Sequence, residues 1–210
     1  MIVVVTGGGT GGHVIPAMIL IKELMKRQCE VVYAGSEKGM ESKIISGLCK
    51  TIFLKVSGVK GKNVFDALKG IMLIFVSFLK MMFIFLKRRP ICIIGVGGFV
   101  SVPALMAGIV LGVPIYLQEQ NAVPGTATKF FAPFAKRIFL GFEDITKSLP
   151  SKKVVITGNP IREDFLTPFV YKVFSGSEKM KIFILGGSRG AKFINQLVVD
   201  ALPFIDRNKF

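Results

Sequence analysis

The chain has 210 residues, 51% of them hydrophobic, and carries 28 Lys and Arg against 13 Asp and Glu, a formal net charge of +15. This composition excludes a disordered chain and suffices for a buried core. The positive charge predicts attraction to anions, which include nucleic acid, phosphorylated substrates and an anionic membrane surface. The three cysteines, Cys29, Cys49 and Cys92, are odd in number and lack a Cys-x-x-Cys spacing, which argues against both a disulfide framework and a zinc site. Met1 leads directly into an apolar strand without a basic signal region, so we expect a protein made in the cytosol.

Short apolar runs alternate with longer stretches of helical periodicity, the pattern of βαβ units in a parallel sheet. The predicted strands lie near residues 2–6, 30–35, 51–56, 91–95, 114–118, 137–140 and 153–157. The predicted helices lie near 14–27, 38–48, 63–87, 101–112, 125–135 and 143–149. A looser stretch follows Pro160, and then come a new strand at 181–185, a glycine turn and a helix to about Leu202. We therefore predict a complete α/β domain at 1–162 and a second one, only begun, at 163–210, because one strand and one helix bury no core of their own.

Three glycine-rich turns each follow an apolar strand: 7–13, 95–101 and 186–191. Glycines between a strand and a helix place free backbone N–H groups beside the positive end of the helix, where an anion binds well. The first turn also fits the Gly-x-Gly-x-x-Gly pattern of dinucleotide-binding proteins. That alternative requires an acidic residue at the end of the second strand, and Glu37 lies one position too late.

Polar residues at strand ends are candidates for chemistry. His13, the only histidine, lies where the first glycine turn enters its helix, and a neutral imidazole there could take a proton from a hydroxyl group. The cluster Gln118–Asn121 ends a central strand, with Glu119 a candidate base or hydroxyl acceptor and Asn121 a hydrogen-bonding group. Arg162 could pair with a diphosphate, and Ser188 in the third turn could contact one of its oxygens.

The segment 63–89 combines an apolar helix with basic flanks. Between 70 and 86 the only charge is Lys80, and residues 55–89 hold eight Lys and Arg against Asp66. Such a helix is typical of one that lies on an anionic bilayer. A crossover helix that covers the sheet is the alternative, and a transmembrane span is the least favoured, because the apolar run falls short of about 20 residues and carries a cation.

Five motifs, taken in order, closely resemble one family of bacterial enzymes: Gly8-Gly9-Thr10-Gly11-Gly12-His13, Gly97-Gly98-Phe99-Val100-Ser101, Gln118 to Gly125, Gly158-Asn159-Pro160-Ile161-Arg162 and Gly186 to Ala191. The family is that of the UDP-N-acetylglucosamine:undecaprenyl-pyrophosphoryl-muramyl-pentapeptide N-acetylglucosaminyltransferases. The resemblance implies two Rossmann-like domains of the B-type glycosyltransferase fold. It also implies an inverting transfer of N-acetylglucosamine from UDP to the C4 hydroxyl of the muramyl lipid, at the cytoplasmic face of the bacterial membrane, with no cofactor, metal or nucleic acid.

By the same resemblance, residues of this chain fall on functional positions of the family. His13 and Glu119 fall on positions implicated in catalysis. The positions that contact UDP-N-acetylglucosamine are Thr10, Gly11, Gly12, Asn121, Arg162 and Ser188. The positions that contact the acceptor pyrophosphate are Gly9, Gly97, Gly98, Phe99 and Ser101. Residues 63–89 would contact anionic lipid.

Three residues depart from the family pattern, which usually has His at Gln118, Gly at Val102 and Asn at Thr128. The first removes a second imidazole, and Val102 narrows the second glycine turn. In the family, uracil and sugar recognition comes mostly from later parts of the second domain. We therefore expect these 210 residues not to turn over substrate alone, and a membrane-docked module without activity is the alternative for the chain by itself.

Overall fold

The structure is a computed structural model that describes residues 1–37, 41–58, 63–166, 182–186 and 191–205. The chain divides into two compact units, Met1–Arg162 and Glu163–Phe210. The first unit is built on one parallel seven-stranded sheet with the strand order β3-β2-β1-β4-β5-β6-β7. Its strands are β1 Ile2–Thr6, β2 Glu30–Ser36, β3 Lys50–Leu54, β4 Cys92–Gly95, β5 Ile115–Glu119, β6 Arg137–Leu140 and β7 Val154–Ile156.

A loop joins β6 to β7, and helices make the other connections between the strands, as parallel pairing usually requires. They are α1 Gly11–Lys26, α2 Glu41–Ile44, α3 Val64–Lys87, α4 Val102–Val110 and α5 Thr126–Phe131, with a short 3-10 turn at Phe99–Ser101 before α4 and another at Ala132–Phe134 after α5. The longest helix, α3, begins where the Asn63 side chain accepts a hydrogen bond from the Asp66 N–H at 2.8 Å. This N-cap satisfies one of the helix's free N–H groups.

Alternate residues of the central strands point to opposite faces of the sheet and form two cores. On one face Val5 and Tyr33 pack with Val14 and Ile21 of α1. On the other face Val4 and the neighbouring strands pack with α3 and α4, with side chains that include Met81, Phe85, Ala104 and Leu105. Helices on both faces explain why the strands read as continuous apolar runs.

Two of the predicted helices differ from the structure. The predicted helix 143–149 is wrong, because this stretch is a loop organised by Asp144. The Asp144 carboxylate accepts hydrogen bonds from the N–H groups of Thr146, Ser148 and Leu149 at 2.8–3.0 Å, and Lys147 takes a positive φ of 50°. Side-chain acceptors of this kind compete with the helical ladder. The predicted helix 38–48 is only the four-residue α2, followed by a turn, with 38–40 outside the described residues.

The described part of the second unit contains α6 Lys192–Ala201 between short irregular segments. The predicted strand 181–185 does not form in the described residues 182–185, and none of the described side chains of this unit is buried. The described residues of this unit include no strand with which 182–185 could pair, which explains both observations.

Candidate functional site

The carboxyl ends of β1 and β4 lie at the point where the strand order of the sheet reverses direction. The two strands are neighbours, yet the chain runs from β1 to β2 on one side and from β4 to β5 on the other. Ligands of open α/β sheets bind in the crevice at such a switch point. Both glycine turns lie here: 7–10 leads from β1 into α1, and 96–98 leads from β4 into the turn before α4.

The two glycine turns approach each other backbone to backbone. Gly97 and Gly98 have φ values of +94° and +77°, which side-chain-bearing residues rarely adopt. A Cβ built on Gly98 would stand 2.4 Å from the carbonyl oxygen of Gly8, and one on Gly97 would stand 2.9 Å from the His13 ring. Glycine is therefore required at both positions, and His13 lies at the contact of the two turns.

Helix α1 presents backbone donors at this point. The N–H groups of His13 and Val14 both donate to the carbonyl of Thr10 at 3.1 Å. Among the residues that the structure describes, the N–H groups of Gly11 and Gly12 have no acceptor. The first N–H groups of a helix lack partners within it and suit an anion. Thr10, Gly11 and Gly12, predicted to contact the nucleotide sugar, thus offer two free donors.

Glu41, the first residue of α2, contacts the first glycine turn, and the sequence did not reveal this contact. It is fully buried, and its Oε1 accepts a hydrogen bond from the Gly9 N–H at 2.7 Å. Its Oε2 has no hydrogen-bond partner within the described residues. Burial, followed by repulsion from Glu41, raises the pKa of Tyr33, whose hydroxyl donates to the Gly7 carbonyl. A phosphate oxygen at Gly9, the predicted pyrophosphate contact, must therefore displace the Glu41 carboxylate.

His13 is connected to the polar cluster at the end of β5. Its Nδ1 lies 3.0 Å from Gln120 Oε1. Gln120 Nε2 donates to the Val96 carbonyl at 3.0 Å and to Gln118 Oε1, and Gln118 Nε2 donates to Asn159 Oδ1 at 3.3 Å. The structure thus brings His13 together with Gln118, which is buried, and with Gln120, whose role the sequence did not reveal.

Glu119 takes no part in the hydrogen bonds of Gln118 and Gln120, and it holds the loop that follows β5 instead. Its Oε1 accepts from the N–H and the Nδ2 of Asn121 at 3.1 and 2.9 Å. Its Oε2 accepts from the Gly125 N–H at 3.0 Å and from the Thr128 hydroxyl at 2.5 Å. Four donors occupy a carboxylate that has about four acceptor sites. This arrangement does not favour Glu119 as a base, and it favours a structural role in the 121–128 loop.

The other predicted contacts differ in position. Phe99 is partly exposed, and its ring would stand 3.3 Å from a Cβ on Gly9. Ser101 is buried, and its hydroxyl donates to the Gly98 carbonyl at 2.8 Å, so it stabilises the second turn from the inside.

Arg162 is exposed, and Ser188 lies outside the described residues. The departure Val102 begins α4 and packs on the larger core. Within the described residues, no group of three His, Cys, Asp or Glu could hold a metal ion.

The comparison with known proteins defines the class. The model of the glycosyltransferase family 28 N-terminal domain matches residues 3–140, and the chain belongs to this family. This membership and the structural match below confirm the predicted fold, the N-terminal α/β domain of a B-type glycosyltransferase. Membership of this family favours the glycosyltransferase interpretation of the first glycine turn over the dinucleotide-binding alternative.

Several relatives of the chain share one name within that family. The chain is 36% identical over 205 residues to the UDP-N-acetylglucosamine--N-acetylmuramyl-(pentapeptide) pyrophosphoryl-undecaprenol N-acetylglucosamine transferase of Myxococcus xanthus, covering 96% of this chain and 53% of the relative. It is 38% identical over 213 residues to the transferase of the same name from Caldanaerobacter subterraneus, covering 96% of this chain and 57% of the relative. The crystal structure of Acinetobacter baumannii MurG superposes with a TM-score of 0.76 at 26% identity, covering 98% of this chain and 58% of that one. The chain thus resembles these transferases throughout and spans little more than half of their length.

Proposed function

We propose that this chain is the acceptor-binding half of a transferase that moves N-acetylglucosamine from UDP-N-acetylglucosamine to the C4 hydroxyl of undecaprenyl-pyrophosphoryl-muramyl-pentapeptide. One observation carries the proposal. His13 stands where two glycine turns and the N-terminus of α1 meet at the switch point of the sheet. A base beside backbone anion donors is what the transfer of a sugar between phosphate-bearing substrates requires.

The reaction follows from the position of the imidazole. The acceptor C4 hydroxyl gives its proton to Nε2 of His13 while its oxygen forms a bond to C1 of N-acetylglucosamine. The bond between C1 and the β-phosphate oxygen breaks, and its electron pair leaves with UDP. A single displacement from the opposite face inverts the configuration at C1.

The developing charge on UDP needs donors that are already oriented. The free N–H groups of Gly11 and Gly12 support a role for the first turn in this task. By resemblance to the family, Asn121, Arg162 and Ser188 supply further contacts to the nucleotide sugar. The second turn, with Gly97 and Gly98, supports a site for the acceptor pyrophosphate, and the Phe99 ring lies beside Gly9 of the first turn.

The test is a transfer assay on the protein as its gene encodes it, with labelled UDP-N-acetylglucosamine and a lipid-linked muramyl-pentapeptide. We expect the label to appear in the lipid with release of one UDP per transfer. UDP-glucose as donor and omission of the acceptor are the controls. Transfer to an acceptor without the muramyl sugar, or none with it, would contradict the proposed substrates.

We further propose that α3 docks on the anionic lipid of the cytoplasmic face of the membrane. Among the described helices, α3 alone is long and apolar enough to span a bilayer, yet 22% of its most apolar window is buried in the protein. Its inner face packs through Gly70, Ser77, Met81 and Phe85. Its outer face exposes a continuous set of apolar side chains: Phe65, Leu68, Ile71, Met72, Phe75, Leu79, Phe83 and Leu86.

Contacts of the polar side chains favour docking over spanning. Ser77 Oγ donates to the Lys55 carbonyl at 3.1 Å, and Lys80 Nζ donates to the Phe53 carbonyl at 2.8 Å. The polar side of α3 is thus fixed to the end of β3, which a span would have to release. Lys87 Nζ lies 4.3 Å from the centre of the Phe83 ring. A lysine beside an exposed aromatic ring suits the headgroup region of an anionic bilayer, because the ring can enter the apolar layer while the ammonium group stays with the phosphates.

A further inference from the structure

We propose that Gln120 is a positioning residue that keeps the His13 proton on Nδ1 and leaves the lone pair on Nε2. The inference rests on the proposed function in that Nε2 is the base of the transfer. Its physical content, the tautomer of one imidazole, does not depend on any substrate.

The orientation of the Gln120 amide is fixed by the Val96 carbonyl. A backbone carbonyl only accepts hydrogen bonds, so the amide group 3.0 Å from it must be the NH₂ end. The carbonyl end, Oε1, then faces His13 Nδ1 at 3.0 Å. Because Oε1 only accepts, Nδ1 must carry the hydrogen, and the neutral ring keeps its lone pair on Nε2.

A second carbonyl fixes the other end of the same chain of amides. Asn159 Nδ2 donates to the Gln120 carbonyl at 3.1 Å, which turns Asn159 Oδ1 toward Gln118. Gln118 Nε2 donates to that oxygen, and Gln118 Oε1 therefore accepts from Gln120 Nε2. Two independent anchors give the same polarity, and reversing any one amide would place two donors or two acceptors in contact.

The chain of amides needs close packing at its far end. A Cβ built on Gly141 would stand 1.9 Å from Asn159 Oδ1, so a side chain there would displace Asn159. The chain of amides thus connects the residues that follow β4, β5, β6 and β7 to the imidazole at the start of α1. It holds the ring against the second glycine turn, and in the part of the chain that the structure describes Nε2 has no hydrogen-bond partner.

The single histidine makes the tautomer directly observable. In a long-range ¹H–¹⁵N spectrum of the 210-residue chain at a pH where the imidazole is neutral, we expect a protonated Nδ1 and an unprotonated Nε2. Gln120→Leu should abolish this preference and give exchange between tautomers. Gln196→Leu, on α6, is the matched control and should change nothing.

The kinetic consequence is measured on the protein as its gene encodes it. Gln120→Leu should lower kcat roughly 10- to 100-fold, the loss typical of partners that orient metal-bound histidines, with KM for the donor nearly unchanged. Gln118→His should retain the rate where Gln118→Leu does not, because a neutral imidazole can accept from Gln120 and donate to Asn159.

A protonated Nε2 in the unsubstituted chain, or a spectrum that Gln120→Leu leaves unchanged, would overturn the proposal. An Nδ1–H tautomer lost in Gln120→Leu, in a protein that transfers no sugar, would uphold the positioning role and refute the proposed function instead.

Discussion

Replacing Glu119 by Gln separates a structural carboxylate from a catalytic one. The substitution changes no volume, but the new NH₂ group must face either the two donors of Asn121 or the pair formed by the Gly125 N–H and the Thr128 hydroxyl. The second orientation costs less, because the hydroxyl can turn and accept. It still leaves the Gly125 N–H opposed by a donor, and all remaining bonds lose their ionic partner.

An unsatisfied polar group costs about 1–3 kcal/mol, and a hydrogen bond to a charged group contributes about 1.5–3 kcal/mol. Gly125 and Asn121 are exposed, and water can satisfy part of the loss. We therefore expect Glu119→Gln to lower the free energy of unfolding by about 2–3 kcal/mol. Thr128→Val removes one of the four bonds and should cost about 1–2 kcal/mol.

The assay is urea denaturation followed by far-UV circular dichroism, since the chain has no Trp. The double variant should cost less than the sum of the two, because the second change removes a bond already weakened by the first. His13→Ala is the control variant, because it alters a partly exposed side chain. It should abolish transfer with little change in the free energy of unfolding. A Glu119→Gln protein of unchanged stability that has lost transfer would refute our reasoning and restore Glu119 as a catalytic candidate.

Two further predictions concern α3 and the loop after β6. Phe75→Glu should weaken binding to vesicles that contain anionic lipid at least about tenfold, since it removes about 1–1.5 kcal/mol of apolar burial and adds a charge that the lipid repels. Phe142→Glu, at a similarly exposed position outside α3, is the control and should not weaken binding. Equal binding of both variants in a vesicle sedimentation assay would exclude α3 as the docking face. For Asp144, slight burial acts to raise the pKa, but the hydrogen bonds from Thr146, Leu149 and Ser148 outweigh it and lower the pKa below the ordinary 3.8. The stabilisation is therefore present above pH 3.8 and lost as the pH falls through the lowered pKa, so acid titration of the unfolding free energy should show a smaller decrease in Asp144→Asn than in the unsubstituted chain.

Much of the sheet could be predicted because its strands are buried on both faces. Strands 2–6 and 137–140 were predicted with the bounds that the structure has, since short, mainly apolar runs that end at a glycine leave few alternatives. The loop at 143–149 could not be predicted, because its residues are compatible with a helix and only the hydrogen bonds to the Asp144 side chain favour the loop.

The site was predictable at the level of its turns and less so at the level of individual contacts. Glycines after strands indicate an anion site wherever a parallel sheet brings the turns together, and they do so here. The direction of each side chain in Gln118–Asn121 depends on partners up to 107 positions away in sequence, such as His13 for Gln120. Glu41 lies in a four-residue helix with no motif of its own, and only the fold brings it to Gly9.

The role of His13 is the central claim, and the rate of transfer by His13→Ala tests it most directly. The measurement uses the protein as its gene encodes it, with both substrates saturating. A general base contributes about 10²- to 10⁴-fold, so we expect kcat to fall at least about 100-fold while the variant remains folded and KM for UDP-N-acetylglucosamine changes little. Transfer at the normal rate by a folded His13→Ala protein would contradict the account.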